Sequence, residues 1–149
     1  MKEATAAIDY SGLIREAFAA RQLAYAPYSG YYVGAALLTK EGKIYQGCNI
    51  ESAAYSPSNC GERTAIFKAV SEGNRQFTAI AVVGGHRDTP LDQLAFFAPC
   101  GVCRQVMIEF CGAGFQIIMA RSETDYEVYS LDELLPLAFG PADVPKAKD

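Results

Sequence analysis

Apolar residues at Ile8, Leu13, Ile14, Ala17, Phe18 and Leu23 recur every three or four positions. That is the repeat of a helix burying one stripe, and it predicts a helix over residues 8–24. Pro27 halts any continuation, because its ring disfavours helical backbone in the residue before it. Residues 25–32, rich in tyrosine and glycine, are expected as a loop. The stretches Val33–Thr39 and Ile44–Ile50 flank Lys40-Glu41-Gly42-Lys43 and predict a hairpin. Residues 49–59 are polar and irregular, the kind of loop beyond a strand end where sites are built.

A second helix is expected from Cys60 to Glu72, with Ile66, Phe67, Ala69 and Val70 apolar and Gly73-Asn74 closing it. The near-continuous apolar run Phe77–Val83 predicts a strand buried on both faces. Gly84–Pro90 reads as a loop, and Leu91–Ala98 fits either a helical turn or a short strand. A third helix is predicted from Cys100 to Phe110, ended by Gly112 and Gly114, with strands at Phe115–Ala120 and Glu127–Tyr129 to follow. Ser130-Leu131-Asp132-Glu133 has the form of a capping box, opening a helix that Pro136 cuts short. A hairpin followed by alternating helices and strands implies an α/β fold, a mixed sheet covered by helices on both faces. Residues 1–140 are expected to form a single domain and 141–149 a flexible tail.

A chain of 149 residues can bury a real core without disulfide staples. The longest apolar runs, Val33–Leu38 and Ala79–Val83, are too short to cross a bilayer, so no membrane partner is expected. The start, Met1-Lys2-Glu3, shows no apolar segment behind a positive one, and a cytoplasmic location is the expectation. A net charge of −4 argues against a polynucleotide partner, whose backbone calls for a basic surface. Five cysteines in a chain expected inside the cell point to metal binding or catalysis, not to a disulfide framework.

Two short stretches carry the chemistry: Asn59-Cys60-Gly61-Glu62-Arg63 and Pro99-Cys100-Gly101-Val102-Cys103. Three thiolates holding zinc with a fourth position open, beside a carboxylate that manages protons, make a catalytic site. Cys100 and Cys103 share one face at a helix start, which Pro99 suits. Cys60 and Glu62, in the first turn of the other helix, can both approach a group lying off its end. Two helix N-termini would then stabilise the thiolates by ~0.3–1 kcal/mol each. Three thiolates leave the zinc a poor Lewis acid, and Arg63 is expected to offset their charge by hydrogen-bonding the sulfurs.

Two other readings stay open on the residues alone. Cys100 and Cys103 could form a thioredoxin-like redox pair, though the chain has no tryptophan and Cys60 and Glu62 go unexplained. A structural four-thiolate zinc would need Cys48 or Cys111, which read better as small buried hydrophobes. His86, the single histidine, is expected to be solvated in a charged loop.

C-x-E followed forty residues later by P-C-x-x-C resembles the signature of the zinc nucleoside and nucleobase deaminases. Tyr25-Ala26-Pro27-Tyr28-Ser29, Val33–Leu37, Gly47-Cys48-Asn49-Ile50-Glu51, Cys60–Ala65, Arg104-Gln105 and Leu134-Leu135-Pro136 extend the likeness to the small homotetrameric cytidine deaminases. The resemblance implies a three-layer α/β/α sandwich with a mixed five-stranded sheet, one Zn2+ per subunit and a homotetramer. It implies Cys60, Cys100 and Cys103 as zinc ligands and Glu62 as proton shuttle. It further implies Asn49 and Glu51 at the ribose 3′-hydroxyl, Tyr31 against the pyrimidine, and the Gly61 amide at the base. Phe139 would reach a neighbouring subunit's site. The reaction implied is hydrolytic deamination of cytidine and deoxycytidine in pyrimidine salvage. A carboxylate at Glu51 disfavours a phosphate nearby, so a nucleoside is preferred over a nucleotide. Departures from the family pattern are Tyr31 for phenylalanine, Gly61 for alanine, Ala98 for serine and a longer Gly84–Phe97 segment. The alternatives are a relative acting on another aminopyrimidine, such as blasticidin S, or a non-catalytic zinc or redox protein.

Overall fold

The computed structural model describes residues 7–147. The Met1-Lys2-Glu3 start and the last two residues of the expected tail lie outside them. Helix α1, Tyr10–Arg21, is shorter than its periodicity predicts. Asp9 caps it by accepting from the Gly12 amide (3.0 Å), which leaves Ile8 outside the helix though still packed on the same layer. At the other end the chain tightens into turns, with Leu23 N–H donating to Ala20 and Ala24 N–H to Arg21. Tyr25 is then drawn beside the polar loop, its amide donating to the Asn49 carbonyl at 3.0 Å. Leu23 is accordingly exposed, not part of the buried stripe.

Five strands follow: β1 (Tyr31–Thr39), β2 (Ile44–Cys48), β3 (Phe77–His86), β4 (Gln116–Ala120) and β5 (Tyr126–Ser130), in the order β2-β1-β3-β4-β5. β1 runs antiparallel to β2 and β3, β3 and β4 are parallel, and β4 and β5 antiparallel. The parallel step is made by helix α3, Gly101–Phe110, which carries the chain from β3 back to β4. The mixed sheet is thus as expected. The loop expected at Gly84–Pro90 is not: β3 continues to His86. Gly84 and Gly85 belong to the strand because another segment lies on them. A Cβ on Gly84 would come 2.8 Å from the Phe97 ring, and one on Gly85 2.6 Å from Leu94. The segment over them opens with a 3-10 turn, Leu91–Gln93, and runs on irregularly to the start of α3.

Side-chain alternation along the strands divides the core into two layers. Leu37, Ile80, Val82 and Ile117 face α3 and helix α2 (Gly61–Ser71), where Ile66 and Met107 pack against them. Ala36, Ala79, Ala81 and Ile118 face α1, with Leu13, Ile14 and Ala17. Two glycines set how closely the helices approach. A Cβ on Gly34 would lie 2.0 Å from the Ala17 carbonyl oxygen of α1. One on Gly47 would lie 2.3 Å from the Gly61 carbonyl oxygen and 2.4 Å from the Ala65 nitrogen. The first turn of α2 therefore rests on the bare backbone of β2, and that contact places its N-terminus.

Helix α4, Leu131–Leu134, starts as expected, with Glu133 accepting from the Ser130 amide (3.1 Å) and hydroxyl (2.8 Å). Beyond Gly140, Pro141–Asp143 form a 3-10 turn. Val144, Pro145 and Lys146 line a groove with Phe67 of α2 and Val106 and Phe110 of α3.

The Gly47 contact has a measurable consequence. Gly47→Ala forces backbone apart where nothing flexible can yield, and should lower the free energy of unfolding by about 1–3 kcal/mol. Gly112→Ala, whose methyl meets open space, should stay near the native value. Urea unfolding of the two variants checks this, and a native midpoint for Gly47→Ala would remove the contact as a positioning device.

Candidate metal centre

Two helices bring the cysteines together. Cys60 is the N-cap residue of α2 and Cys100 that of α3, both with extended backbone (ψ 156° and 165°). Neither side chain caps its own helix, so each sulfur is free to point at a group off the helix end. Cys103, one turn into α3, is fully buried. The Cys60 and Cys100 sulfurs are 3.7 Å apart and those of Cys100 and Cys103 3.5 Å, and all three lie within 4.8 Å of one another.

These distances identify what the cluster suits. A disulfide would hold two sulfurs at about 2.05 Å. Tetrahedral zinc with bonds of about 2.3 Å would space its sulfurs by about 3.8 Å. Two of the three sulfur pairs lie close to that second spacing and the third is within 4.8 Å, so the thiols fit one face of a zinc tetrahedron. Among the described residues no fourth metal-ligating group joins them. Cys111 is buried elsewhere, its thiol pushed up to about 12 by that burial, and Cys48 ends β2 half-buried. The four-thiolate reading therefore fails for want of a fourth sulfur, and a two-cysteine redox pair leaves Cys60 unaccounted for.

The charges around the sulfurs are unequal. Cys60 is held down to about 5, chiefly by the neighbouring Cys103 thiol, with Arg63 and Cys100 adding to it against the cost of burial. Cys103 is raised, by the Cys60 sulfur beside it first and then by burial. Burial works against the Arg63 charge, but its hydrogen bonds to Cys60 and Cys103 outweigh it and raise its pKa. Its Nη2 lies 3.2 Å from the Cys60 sulfur, while its buried Nε has no partner. Glu62 points inward, 1% exposed, with Oε1 unpartnered. Burial first, then the nearby Cys60 charge, pushes its carboxyl up to about 7.

A cavity of about 290 Å³ opens beside the cluster, lined by Cys60, Cys100, Glu62 and Arg63 and also by Tyr31, Asn49 and Glu51. Such a volume suits a small molecule more than a polymer. Asn49 sits where the sequence places it, but much of its amide is committed. Its Oδ1 accepts from the Val33 amide (2.9 Å) and its Nδ2 donates to the Tyr31 carbonyl (2.7 Å). Glu51 accepts from the amides of Tyr28 (3.1 Å) and Ser29 (3.0 Å) and from the Ser29 hydroxyl, which together hold its carboxyl below the usual range.

Gly61 lies between Cys60 and Glu62 as the first residue of α2, and a Cβ there would press on the Val33 carbonyl oxygen at 3.3 Å. Phe139 is not in this cavity: it is exposed and lines the separate groove with Phe67 and Val106.

Two lining residues carry roles that the sequence did not assign. Ser29 holds Glu51 in place, and Phe97 forms an apolar wall. The doublet Phe96-Phe97 just ahead of Pro99-Cys100 was the available signal for the second. His86 corrects an expectation: it is not merely solvated but packs edge-on to Tyr31, ring centroids 5.6 Å apart and planes at 83°.

Three thiols at paired helix N-termini beside a small cavity define a zinc centre on an α/β/α scaffold. The sequence pattern described as "Cytidine and deoxycytidylate deaminase zinc-binding region" matches residues 8–119. A cytidine deaminase of Sporosarcina psychrophila is 46% identical over 142 residues, covering 95% of this chain and 99% of its own length. The crystal structure of cytidine deaminase from Burkholderia pseudomallei superposes with a TM-score of 0.77 at 48% identity, covering 86% of this chain and 97% of that one. A blasticidin-S deaminase of Bacillus cereus is 31% identical over 110 residues, covering 73% of this chain and 77% of its own. The chain belongs to the cytidine and deoxycytidylate deaminase family, and zinc is the metal its cysteine cluster suits.

Metal analysis of the purified protein should find one zinc per chain. Cys100→Ala should lose it, whereas Cys48→Ala and Cys111→Ala, outside the cluster, should keep it. Arg63→Ala should weaken zinc affinity about 10-fold or more, the usual cost of removing a donor to a metal ligand. Unchanged affinity would leave Arg63 without a role at the metal.

Proposed function

We propose that the chain catalyses the zinc-dependent hydrolysis of cytidine and deoxycytidine to uridine and deoxyuridine, releasing ammonia. The observation that carries this reading is Glu62: a fully buried carboxylate with an unpartnered oxygen, in the same small cavity as a three-thiol metal cluster. A buried carboxylate with nothing to bond is costly unless a ligand or a proton completes it.

Cys60, Cys100 and Cys103 would hold the zinc, which when bound polarises a water and makes its proton easier to remove. The protons are then handled by Glu62. Its carboxylate takes one from the attacking water as the C4–O bond forms and passes it to N3 of the cytosine. It next carries the remaining hydroxyl proton to the amino group; the C4–N bond breaks and ammonia leaves. Arg63 spreads the charge of the Cys60 sulfur, and Tyr31 with Phe97 closes the cavity on the base. Asn49 and Glu51 take the sugar hydroxyls, and the Gly61 amide meets the base.

In the same reading the enzyme serves pyrimidine salvage in the cytoplasm and works as a homotetramer. The exposed apolar residues Phe139 and Leu137, which have no cover within one chain, support the oligomer. Glu51 supports a nucleoside over a nucleotide, since a phosphate beside it would meet like charge. The likeness to a blasticidin-S deaminase gives the second reading, in which a different aminopyrimidine is taken.

Ultraviolet assays separate these. Cytidine and deoxycytidine should turn over, cytidine monophosphate much more slowly, and blasticidin S not measurably; rapid turnover of blasticidin S alone would favour the second reading. Glu62→Gln should keep its zinc and lose at least about 100-fold in kcat. Near-native uridine formation by that variant would falsify the assignment of Glu62.

A further inference from the structure

We propose that His86 is a positioning residue for this reaction: packed edge-on against Tyr31, it holds that ring as a wall of the substrate cavity. The inference rests on the function proposed above. Tyr31 opens β1 and lines the cavity, yet half its surface is exposed. Its backbone is anchored on both sides, the amide donating to the Ser29 hydroxyl (3.0 Å) and the carbonyl accepting from Asn49 Nδ2 (2.7 Å). Neither bond fixes the ring.

The ring's aromatic neighbour is His86, its cross-strand partner in the β1–β3 register. Centroids 5.6 Å apart with planes at 83° are the edge-to-face geometry that aromatic pairs favour. The imidazole is itself held. Its Nδ1 accepts from the Asp88 amide at 3.2 Å. Its other edge lies over Gly30, where φ is +71° and a Cβ would come 2.7 Å from Nε2. Arg87 N–H donates to the Gly30 carbonyl at 2.8 Å and pins that turn against the end of β3. Backbone on two sides thus fixes the histidine, and the histidine fixes the tyrosine.

A side chain that is 38% exposed contributes little to the core, so its loss should spare the fold and show in substrate binding. The test is cytidine kinetics of the zinc-loaded enzyme with His86→Ala, Tyr31→Ala, the double variant and His86→Phe. His86→Ala should raise KM about 3- to 10-fold, the worth of an edge-to-face pair, with kcat and zinc content unchanged. His86→Phe, which keeps a ring edge there, should restore KM to within about twofold. In the Tyr31→Ala background the histidine change should have no further effect, as expected of two residues acting as one. A native KM in His86→Ala, a loss confined to kcat or zinc content, or an equal loss in the Tyr31→Ala background would each overturn the proposal.

One readout is independent of turnover. The NMR resonances of the Tyr31 ring should shift in His86→Ala and return in His86→Phe. Unmoved resonances overturn the inference, while an inactive native enzyme overturns only the proposed function.

Discussion

Convergence of three sulfurs within 4.8 Å is the constraint on which the remainder of the molecule depends. Thiolates so close repel one another, and one relief is that Cys103 is raised while Cys60 is lowered, so that the two do not ionise together. Arg63 at 3.2 Å and the positive ends of two helices are the others, and a bound cation would outweigh them all. Each partial remedy works only if α2 and α3 present their first turns to one point. Helix α3 is placed by the parallel β3–β4 step, whose crossover must lie on the face of the sheet. Helix α2 is placed by its backbone resting on Gly47.

The same placement explains Glu62. A helix N-terminus set against the sheet directs one residue of its first turn at the metal and buries another two positions on. Burial opposes ionisation of that carboxyl, the Cys60 charge opposes it further, and Arg63 only partly relieves this. The structure tolerates a buried acid with an empty oxygen here, against the general rule that such groups are paired. Departures from that rule concentrate where a ligand is to be handled.

Long periodic segments and the cysteine spacing were legible in the sequence because both are local. A helix face repeats within a few residues, and C-x-E or C-x-x-C at a helix start is complete in five. What was misread depends on partners distant in the chain. Gly84-Gly85 reads as a loop signal until Phe97 and Leu94, more than eight residues on, are known to lie over it. His86 has no local signature of its place, since Gly30 and Tyr31 come from the turn before β1 and the first residue of that strand. The end of α1 was misjudged for a similar reason, since the pull on Tyr25 comes from Asn49, whereas its start turns on a local cap, Asp9 to the Gly12 amide.

Asn49 and Glu51 hold backbone beside the cavity and still keep hydrogen-bonding capacity to spare. An amide group offers two N–H donors and two acceptor sites, and Asn49 gives one of each to the backbone of β1. One donor and one acceptor remain. Glu51 is ionised at neutral pH and accepts from Tyr28 and Ser29, which fixes its orientation without neutralising its charge. Under the proposed function, what is left over matches a hydroxyl group, which donates to the carboxylate and accepts from the amide. A phosphate brings only acceptors and negative charge, so it would satisfy the Asn49 donor but repel Glu51. On that reading, selection for a sugar hydroxyl would follow from bonds already used in holding the backbone, with no residue reserved for the purpose.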